Sequence, residues 1–342
     1  MNVLIAAGTA SEWQDFPADI TASFCEGDVA SLNASLNNSI EILVTDAMPT
    51  KVDSCDGLRW VQLVSSGAEQ LINHPLLYRP VLFSNAAGIC AVHIAEFVVA
   101  QVLRHFKKLD QIRDLQKVNE WGDRMAMARP SLRGLQAVIV GYGGVGREVA
   151  RLFSAFGMKI TAIGPNDIQR SYNGYLPYRF IGDPDGVIPE ELVPYSKLSD
   201  VIPTADIIVL CVSLNISTYH LINAENLKFL KRTALLINVS RGSVVDTPAL
   251  LSSLDRGELA HACLDVFDQE PLPSNSLLWN HPKVSISPHM AGVMPDHFFK
   301  LKNLFLENLE KYREGLALIN QLEPGRFIEP YYDLTQRASN PS

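Results

Sequence analysis

The run Ala137-Val138-Ile139-Val140, followed at once by Gly141-Tyr142-Gly143-Gly144-Val145-Gly146, constrains the fold of this 342-residue chain more than any other segment. Four apolar residues make a short buried strand. G-x-G-x-x-G directly behind it lets the chain turn sharply and brings backbone N–H groups close enough to hold a pyrophosphate. The amphipathic stretch 148–156, closed by Gly157, supplies the helix and its C-terminal cap. Without strand and helix the six residues would be an ordinary glycine-rich turn. With them they predict a dinucleotide-binding βα unit whose helix amino end favours phosphate charge.

The rest of the chain repeats this rhythm. Apolar runs at 3–7, 42–44, 61–64 and 81–83 predict strands separated by helix-capable stretches, the pattern of a parallel sheet. A second series runs through 137–140, 160–163, 207–212, 234–239, 262–266 and 284–286. Between the series, 89–108 reads as a helix, and 111–129 turns polar around Trp121, a candidate boundary. The connection 166–204 is long for a βα link and reads equally as an added helix or a surface loop. Phe298, Leu301, Phe305, Leu309, Tyr312 and Leu316 step along one face of a closing helix, and the polar tail beyond Tyr332 is expected to fray.

Composition narrows the class. Apolar residues at 47% and charged residues at 19% exclude a disordered chain or a coiled coil. A net charge of −8 without a basic stripe argues against a nucleic-acid partner. Cys25, Cys55, Cys90, Cys211 and Cys263 are scattered and never spaced CxxC, so neither a disulfide framework nor a metal site is expected. The first residues lack the basic start of a signal peptide, and the apolar stretch 91–103 is broken by His93, Glu96 and Gln101. A reduced, cytoplasmic protein with no membrane span is the expectation.

Three later segments each deliver chemistry to a strand end. Leu235-Leu236-Ile237-Asn238-Val239-Ser240-Arg241-Gly242 places a planar guanidinium suited to a carboxylate. Leu264-Asp265-Val266-Phe267-Asp268-Gln269-Glu270-Pro271 offers two acids, and Ser287-Pro288-His289-Met290-Ala291-Gly292 offers an imidazole. Ligands of open α/β sheets bind beyond the carboxyl ends of the strands, so the three can converge. Hydride delivered to a carbonyl carbon leaves an alkoxide, and histidine is the side chain that titrates in the right range to protonate it. Taken singly, Arg241 reads as a helix cap, Glu270 as a loop charge and His289 as a structural histidine. His93, His220, His261 and His281 read as structural.

Asn238-x-x-Arg241-Gly242, Asp265-Val266-Phe267-x-x-Glu270-Pro271 and Pro288-His289-x-x-Gly292, in that order behind G-x-G-x-x-G, resemble the D-isomer-specific 2-hydroxyacid dehydrogenase family. The likeness extends to Leu58-x-Trp60-Val61-Gln62 with Ser65-Ser66-Gly67-Ala68, to Ala95-Glu96 and to Leu221-Ile222-Asn223. It implies two Rossmann-like α/β domains with parallel sheets. A cofactor domain (90–292) would be inserted into a discontinuous, flavodoxin-like substrate domain (1–89 and 293–342). It implies an NAD- or NADP-dependent enzyme interconverting a small anionic 2-oxo acid and its D-2-hydroxy acid. Arg241 would hold the substrate, His289 would be the proton donor or acceptor paired with Glu270, and Ser66-Gly67 would bind the substrate carboxylate. Asp265 would face the nicotinamide. Cofactor contacts would come from Gly141, Gly143, Gly144, Val145, Gly146, Gly164, Val212, Val239, Ser240, Arg241, Asp265, His289 and Gly292. A homodimer built around the cofactor domain is implied as well. With only about 50 residues after His289 no regulatory domain is expected, which favours a glyoxylate/hydroxypyruvate-type reductase.

The chain departs from the family pattern at three places. Gly164 stands where an NAD site usually carries an acid for the ribose 2′-hydroxyl, so NADP is not disfavoured, and Arg170 is a cation nearby. Ser213-Leu214-Asn215 replaces Pro-Leu-Thr, and Met294 replaces a common threonine. The rival reading is a dinucleotide-sensing, corepressor-like binding protein with little turnover. An anionic substrate entering an acidic chain requires local positive potential, with Arg241 at its centre.

Overall fold

The computed structural model describes residues 1–165 and 167–328, and the expected tail beyond Tyr332 lies outside them. The chain divides into two compact units. The first comprises Met1–Ile89, Asn173–Pro177 and the chain from Met294 onward, and the second Cys90–Tyr172 and Tyr178–Val293. The second unit is therefore not the unbroken stretch 90–292: five residues of its long connection group with the first unit, and Val293 stays with the second.

The strands of the first unit are β1 (Asn2–Ala6), β2 (Thr21–Phe24), β3 (Ile42–Thr45), β4 (Trp60–Leu63) and β5 (Leu82–Ser84). Those of the second are β6 (Gln136–Val140), β7 (Lys159–Gly164), β8 (Glu191–Pro194), β9 (Ile207–Leu210), β10 (Leu235–Asn238), β11 (His261–Leu264) and β12 (Val284–Ile286). The helices are α1 (Val29–Ser35), α2 (Ala91–Phe106), α3 (Leu109–Lys117), α4 (Gly144–Ala155), α5 (Leu198–Val201), α6 (Ala224–Leu227), α7 (Thr247–Asp255) and α8 (His297–Arg313).

Both sheets are parallel throughout. The first runs β2-β1-β3-β4-β5, a flavodoxin-like order, and the second β12-β11-β10-β9-β6-β7-β8, a Rossmann order with an extra strand. Parallel strands covered on both faces read as continuous apolar runs, which is why β1, β3, β4, β6, β9 and β10 are legible in sequence. The edge strands β2 and β8 are not: Thr21-Ala22-Ser23-Phe24 is mostly exposed and Glu191-Leu192-Val193-Pro194 half-buried, and neither needs an apolar run. The connection after β7 thus resolves, over residues 167–204, into an irregular excursion, β8 and a short helical segment, rather than a single helix or loop.

In the first unit, α8 is fixed to the sheet by aromatic stacking and a buried polar chain. Phe305 stacks on Trp60 at 5.1 Å between ring centroids, and Tyr312 lies 5.7 Å from the same ring. The Trp60 indole donates to Ser84 Oγ (2.9 Å), Ser84 donates to Gln62 Oε1 (2.7 Å), and Asn308 also donates to Gln62. Each polar side chain of this group finds a partner, as burial demands.

At the amino ends of β9 to β12 the second unit encloses a cavity of about 610 Å³. Arg104, His105, Lys108, Arg129, His261 and Lys283 are among its walls, with Asp110 and Asp206. The His105 and His261 rings lie 5.3 Å apart. Burial, reinforced for His105 by Lys108 and Arg129 and for His261 by His105, Arg104 and Lys108, pushes each down to about 4 from 6.5. The unfolded chain therefore binds more protons than the folded one between these values. The part of the second unit's stability that depends on these two neutral histidines should be fully present above pH 6.5 and be lost progressively as pH falls toward 4. Urea midpoints measured across that range should decline, and decline less in a His105→Gln/His261→Gln variant.

Candidate active site

In the second sheet the strand order reverses between β6 and β9, and the G-x-G-x-x-G loop leaves β6 at that point. Gly141 has φ +102°, and a Cβ there would lie 2.6 Å from the Cys211 carbonyl oxygen. A Cβ on Gly146 would lie 2.0 Å from Gly141 O, so strand and helix can meet this closely only through glycine. A Cβ on Gly143 would meet nothing within 4 Å. Gly144 and Val145 open α4, whose first amides have no partner inside the helix. Closed glycines at both ends, open space between them and helix-end amides beneath fit a dinucleotide pyrophosphate.

Gly164 ends β7. A Cβ at this position would come within 2.1 Å of Ile168 Cδ1, so the loop side chain fills the space a side chain here would take. Val212 follows β9 and is buried. Val239 and Ser240 follow β10, where Asn238 Oδ1 accepts from the Ser240 amide and hydroxyl and Asn238 Nδ2 donates to Arg241 O at 2.9 Å. This side-chain ring shapes the turn that presents Arg241, whose Nη1 donates to Ser240 O. Gly242 lets the same turn abut the next loop, since a Cβ there would lie 2.0 Å from the carbonyl carbon of Phe267. Asp268 ties the two together by accepting from Ser243 (2.7 Å) and Thr247 (3.0 Å).

Glu270 is held by the Phe267 amide on Oε1 (2.9 Å) and meets His289 Nδ1 with Oε2 at 2.6 Å. The imidazole and carboxylate side chains are 49% and 34% exposed, so a ligand can reach the pair. With Nδ1 engaged, Nε2 is the nitrogen the ring offers. His289 itself sits at φ +50°, a left-handed position rare for a non-glycine residue.

Asp265 holds that conformation in place. It is 2% exposed, and its carboxylate accepts from Ser287 Oγ (2.5 Å), Met290 N (3.0 Å) and Ala291 N (2.9 Å), while its carbonyl accepts from His289 N (2.8 Å). The family resemblance assigns Asp265 only a place facing the nicotinamide; neither its grip on the His289 turn nor the turn-shaping of Asn238 and Asp268 is readable from sequence. Strand-end acids and amides are visible there, but no spacing rule says which loop they hold. Gly292 follows this turn, and a Cβ there would make only ordinary contacts, 3.4 Å from Cys90 Cβ and 3.5 Å from Ile94.

Arg241, Glu270 and His289 thus lie on adjacent loops of the second unit. Ser66 and Gly67 belong to the first unit, where Ser66 O accepts from Asn85 Nδ2 at 2.7 Å and Ser66 Oγ donates to Ala86 O. His93 opens α2 with Nδ1 buried and unpartnered among the described residues. His220 lies in a turn, His261 begins β11 and His281 pairs with Asp255 at 3.3 Å. Among the described residues no group of three or more His, Cys, Asp or Glu side chains is placed to hold a metal, and no helix is long and apolar enough to cross a membrane.

The profile of the NAD-binding domain of D-isomer-specific 2-hydroxyacid dehydrogenases matches residues 99–291. The glyoxylate reductase of Thermofilum pendens is 31% identical over 286 residues, covering 82% of this chain and 80% of the relative. Among solved structures, a D-isomer-specific 2-hydroxyacid dehydrogenase family protein from Aeromonas salmonicida superposes with a TM-score of 0.78 at 24% identity, covering 94% of this chain and 99% of its own. The NADPH-dependent glyoxylate/hydroxypyruvate reductase of Sinorhizobium meliloti gives 0.75 at 23%, covering 95% and 99%. The chain belongs to the D-isomer-specific 2-hydroxyacid dehydrogenase family and is an NAD(P)-dependent oxidoreductase.

Removing the Asp265 carboxylate strands the buried Ala291 amide and the part-buried Met290 amide and frees the His289 turn. Each stranded donor costs about 1–3 kcal/mol, so Asp265→Ala should lower unfolding free energy by about 2–6 kcal/mol, read from urea titration.

Proposed function

We propose that this protein reduces a small 2-oxo acid, glyoxylate or hydroxypyruvate, to its D-2-hydroxy acid. The 2.6 Å pair of His289 and Glu270, on a loop adjoining the one that presents Arg241, carries this reading. The nicotinamide dinucleotide, NAD or NADP, supplies hydride to the carbonyl carbon; Gly141, Gly143, Gly144, Val145 and Gly146 would hold its pyrophosphate. Gly164, Val212, Val239, Ser240, Asp265 and Gly292 would line the remainder of the cofactor site. Arg241 binds the substrate carboxylate and polarises the carbonyl through its fork of donors. His289 gives a proton from Nε2 to the nascent alkoxide. Glu270 accepts from Nδ1 and so fixes the ring with Nε2 facing the substrate. The archaeal relatives named glyoxylate reductases support the substrate class.

A homodimer is part of this proposal. In the second unit, Trp121 is 87% exposed, Met125 81% and Val118 61%, with Leu109 and Ile112 nearby in sequence and also exposed. Apolar side chains this open on one segment are what a second copy of the chain would bury. Sedimentation equilibrium should give twice the chain mass, and Trp121→Asp should return it to one.

Following NADH or NADPH absorbance with glyoxylate, hydroxypyruvate and branched 2-oxo acids tests the reaction. His289→Ala should lower kcat by about 10²–10⁴-fold, the usual contribution of a positioned acid–base group, with the dinucleotide Kd nearly unchanged. Glu270→Gln should retain more activity than His289→Ala. Near-normal turnover in His289→Ala would remove the proton donor. Tight dinucleotide binding with no substrate reduced by the wild type would favour a corepressor-like sensor instead.

A further inference from the structure

The cavity at the amino ends of β9 to β12 takes no part in the chemistry above, because it lies on the edge of the second sheet opposite the loops that carry Arg241, Glu270 and His289. Five cations line it, Arg104, Lys108, Arg129, Arg232 and Lys283, against two acids, Asp110 and Asp206. Both acids are already engaged. Asp110 accepts from Arg104 Nε on both oxygens, at 2.9 and 2.8 Å. Asp206 accepts from the Gln136 amide (2.9 Å) and from Nζ of Lys231 (2.7 Å), a residue outside the cavity wall. Lys283 Nζ donates to the Leu254 carbonyl, and Arg129 Nη1 to the carbonyls of Ala126 and Ala128, contacts that satisfy donors without cancelling charge. Among the described residues the Lys108 ammonium and the Arg232 guanidinium have neither an ion pair nor a hydrogen bond.

The rest of the wall holds this charge in place. Lys108 sits at φ +54°, a left-handed position between α2 and α3, and burial together with neighbouring Arg129 pushes its ammonium below the ordinary lysine range. Like charges kept side by side carry an energy that a bound anion would offset. The rings of His105 and His261, 5.3 Å apart, are kept neutral near physiological pH by burial and by the same cations, so they offer hydrogen-bonding nitrogens rather than further charge. His261 Nε2 lies 2.9 Å from Ser285 Oγ, which fixes that ring on the cavity floor. A volume of about 610 Å³ is that of a small-molecule site, and a single monatomic ion would leave most of it empty.

We propose that this cavity binds a small polyanion, a molecule carrying more than one carboxylate or phosphate group, with Lys108, Arg129 and Arg232 as its charged contacts and His105 beside them as a hydrogen-bonding one. The site is separate from the catalytic loops and does not depend on the reaction proposed for them.

Calorimetric titration of the full chain with citrate and with inorganic pyrophosphate, at matched ionic strength, separates the two chemistries: the tighter of the two names carboxylate or phosphate as the recognised group. One anion per chain is expected, and saturating NADH should leave it bound, since the glycine loop lies at the other edge of the sheet. Lys108→Gln/Arg232→Gln should weaken that anion by about tenfold or more, the scale of losing one charge-assisted hydrogen bond. Lys108→Arg keeps the charge and should bind nearly as the wild type does. Neither side chain holds another part of the fold, so the urea midpoint of the double variant should stay at the wild-type value. Unchanged anion affinity in the double variant, displacement of the anion by NADH, or uptake of neither anion overturns the proposal; the last is also what a cavity closed by a second copy of the chain would give.

Discussion

Asp265 emerges at the end of β11 as a buried carboxylate on which the whole site depends: its oxygens accept from Ser287, Met290 and Ala291, while its carbonyl takes the His289 amide. A left-handed backbone at His289 persists only where surrounding bonds over-determine it, and these four bonds do so. The imidazole is thereby carried to Glu270. If the Asp265 carboxylate were lost, His289 would still be present but without a fixed direction, and preorganisation is what a proton-transfer group contributes.

The neighbouring loop is built by the same principle with different parts. Asn238 closes a side-chain ring under Ser240 and Arg241, Gly242 allows backbone contact with Phe267, and Asp268 joins the Arg241 and Glu270 loops. Each element alone is a turn-shaping device. Joined at the carboxyl edge of parallel strands, they bring a cation, an acid and an imidazole onto adjacent loops, in a sheet whose strand order reverses where the glycine loop sits. That loop is in turn held through Tyr142, whose carbonyl accepts from buried Arg147 and whose hydroxyl donates to buried Asp183.

Much of this was legible in the sequence for an identifiable reason. Strands buried on both faces must be apolar throughout, so β6, β9 and β10 announce themselves. Glycines forced by close approach announce themselves too, because no other residue survives 2.0 Å from a carbonyl oxygen at Gly146. The edge strands β2 and β8 have no such requirement, and their sequences are correspondingly mute. Arg241, Glu270 and His289 could be singled out because each follows a recognisable strand and their motifs together resemble those of one family. Asp265, although named, could not be assigned its anchoring role, since its partners lie 22 to 26 residues away and no local periodicity encodes them.

Burial, sterics and side-chain chemistry act along a continuous stretch of chain, and so the order of residues was enough to specify two parallel α/β layers, a glycine-forced dinucleotide turn and three chemically apt strand-end residues. It was not enough to specify that Glu270 meets His289 through Nδ1, that Asp265 locks the histidine turn, or that Arg147 of α4 binds the Gln169 and Asp183 carbonyls. These are hydrogen bonds between segments far apart in the chain. Their partners are chosen by which loops the sheet order sets side by side, a property of three dimensions that one-dimensional spacing does not contain.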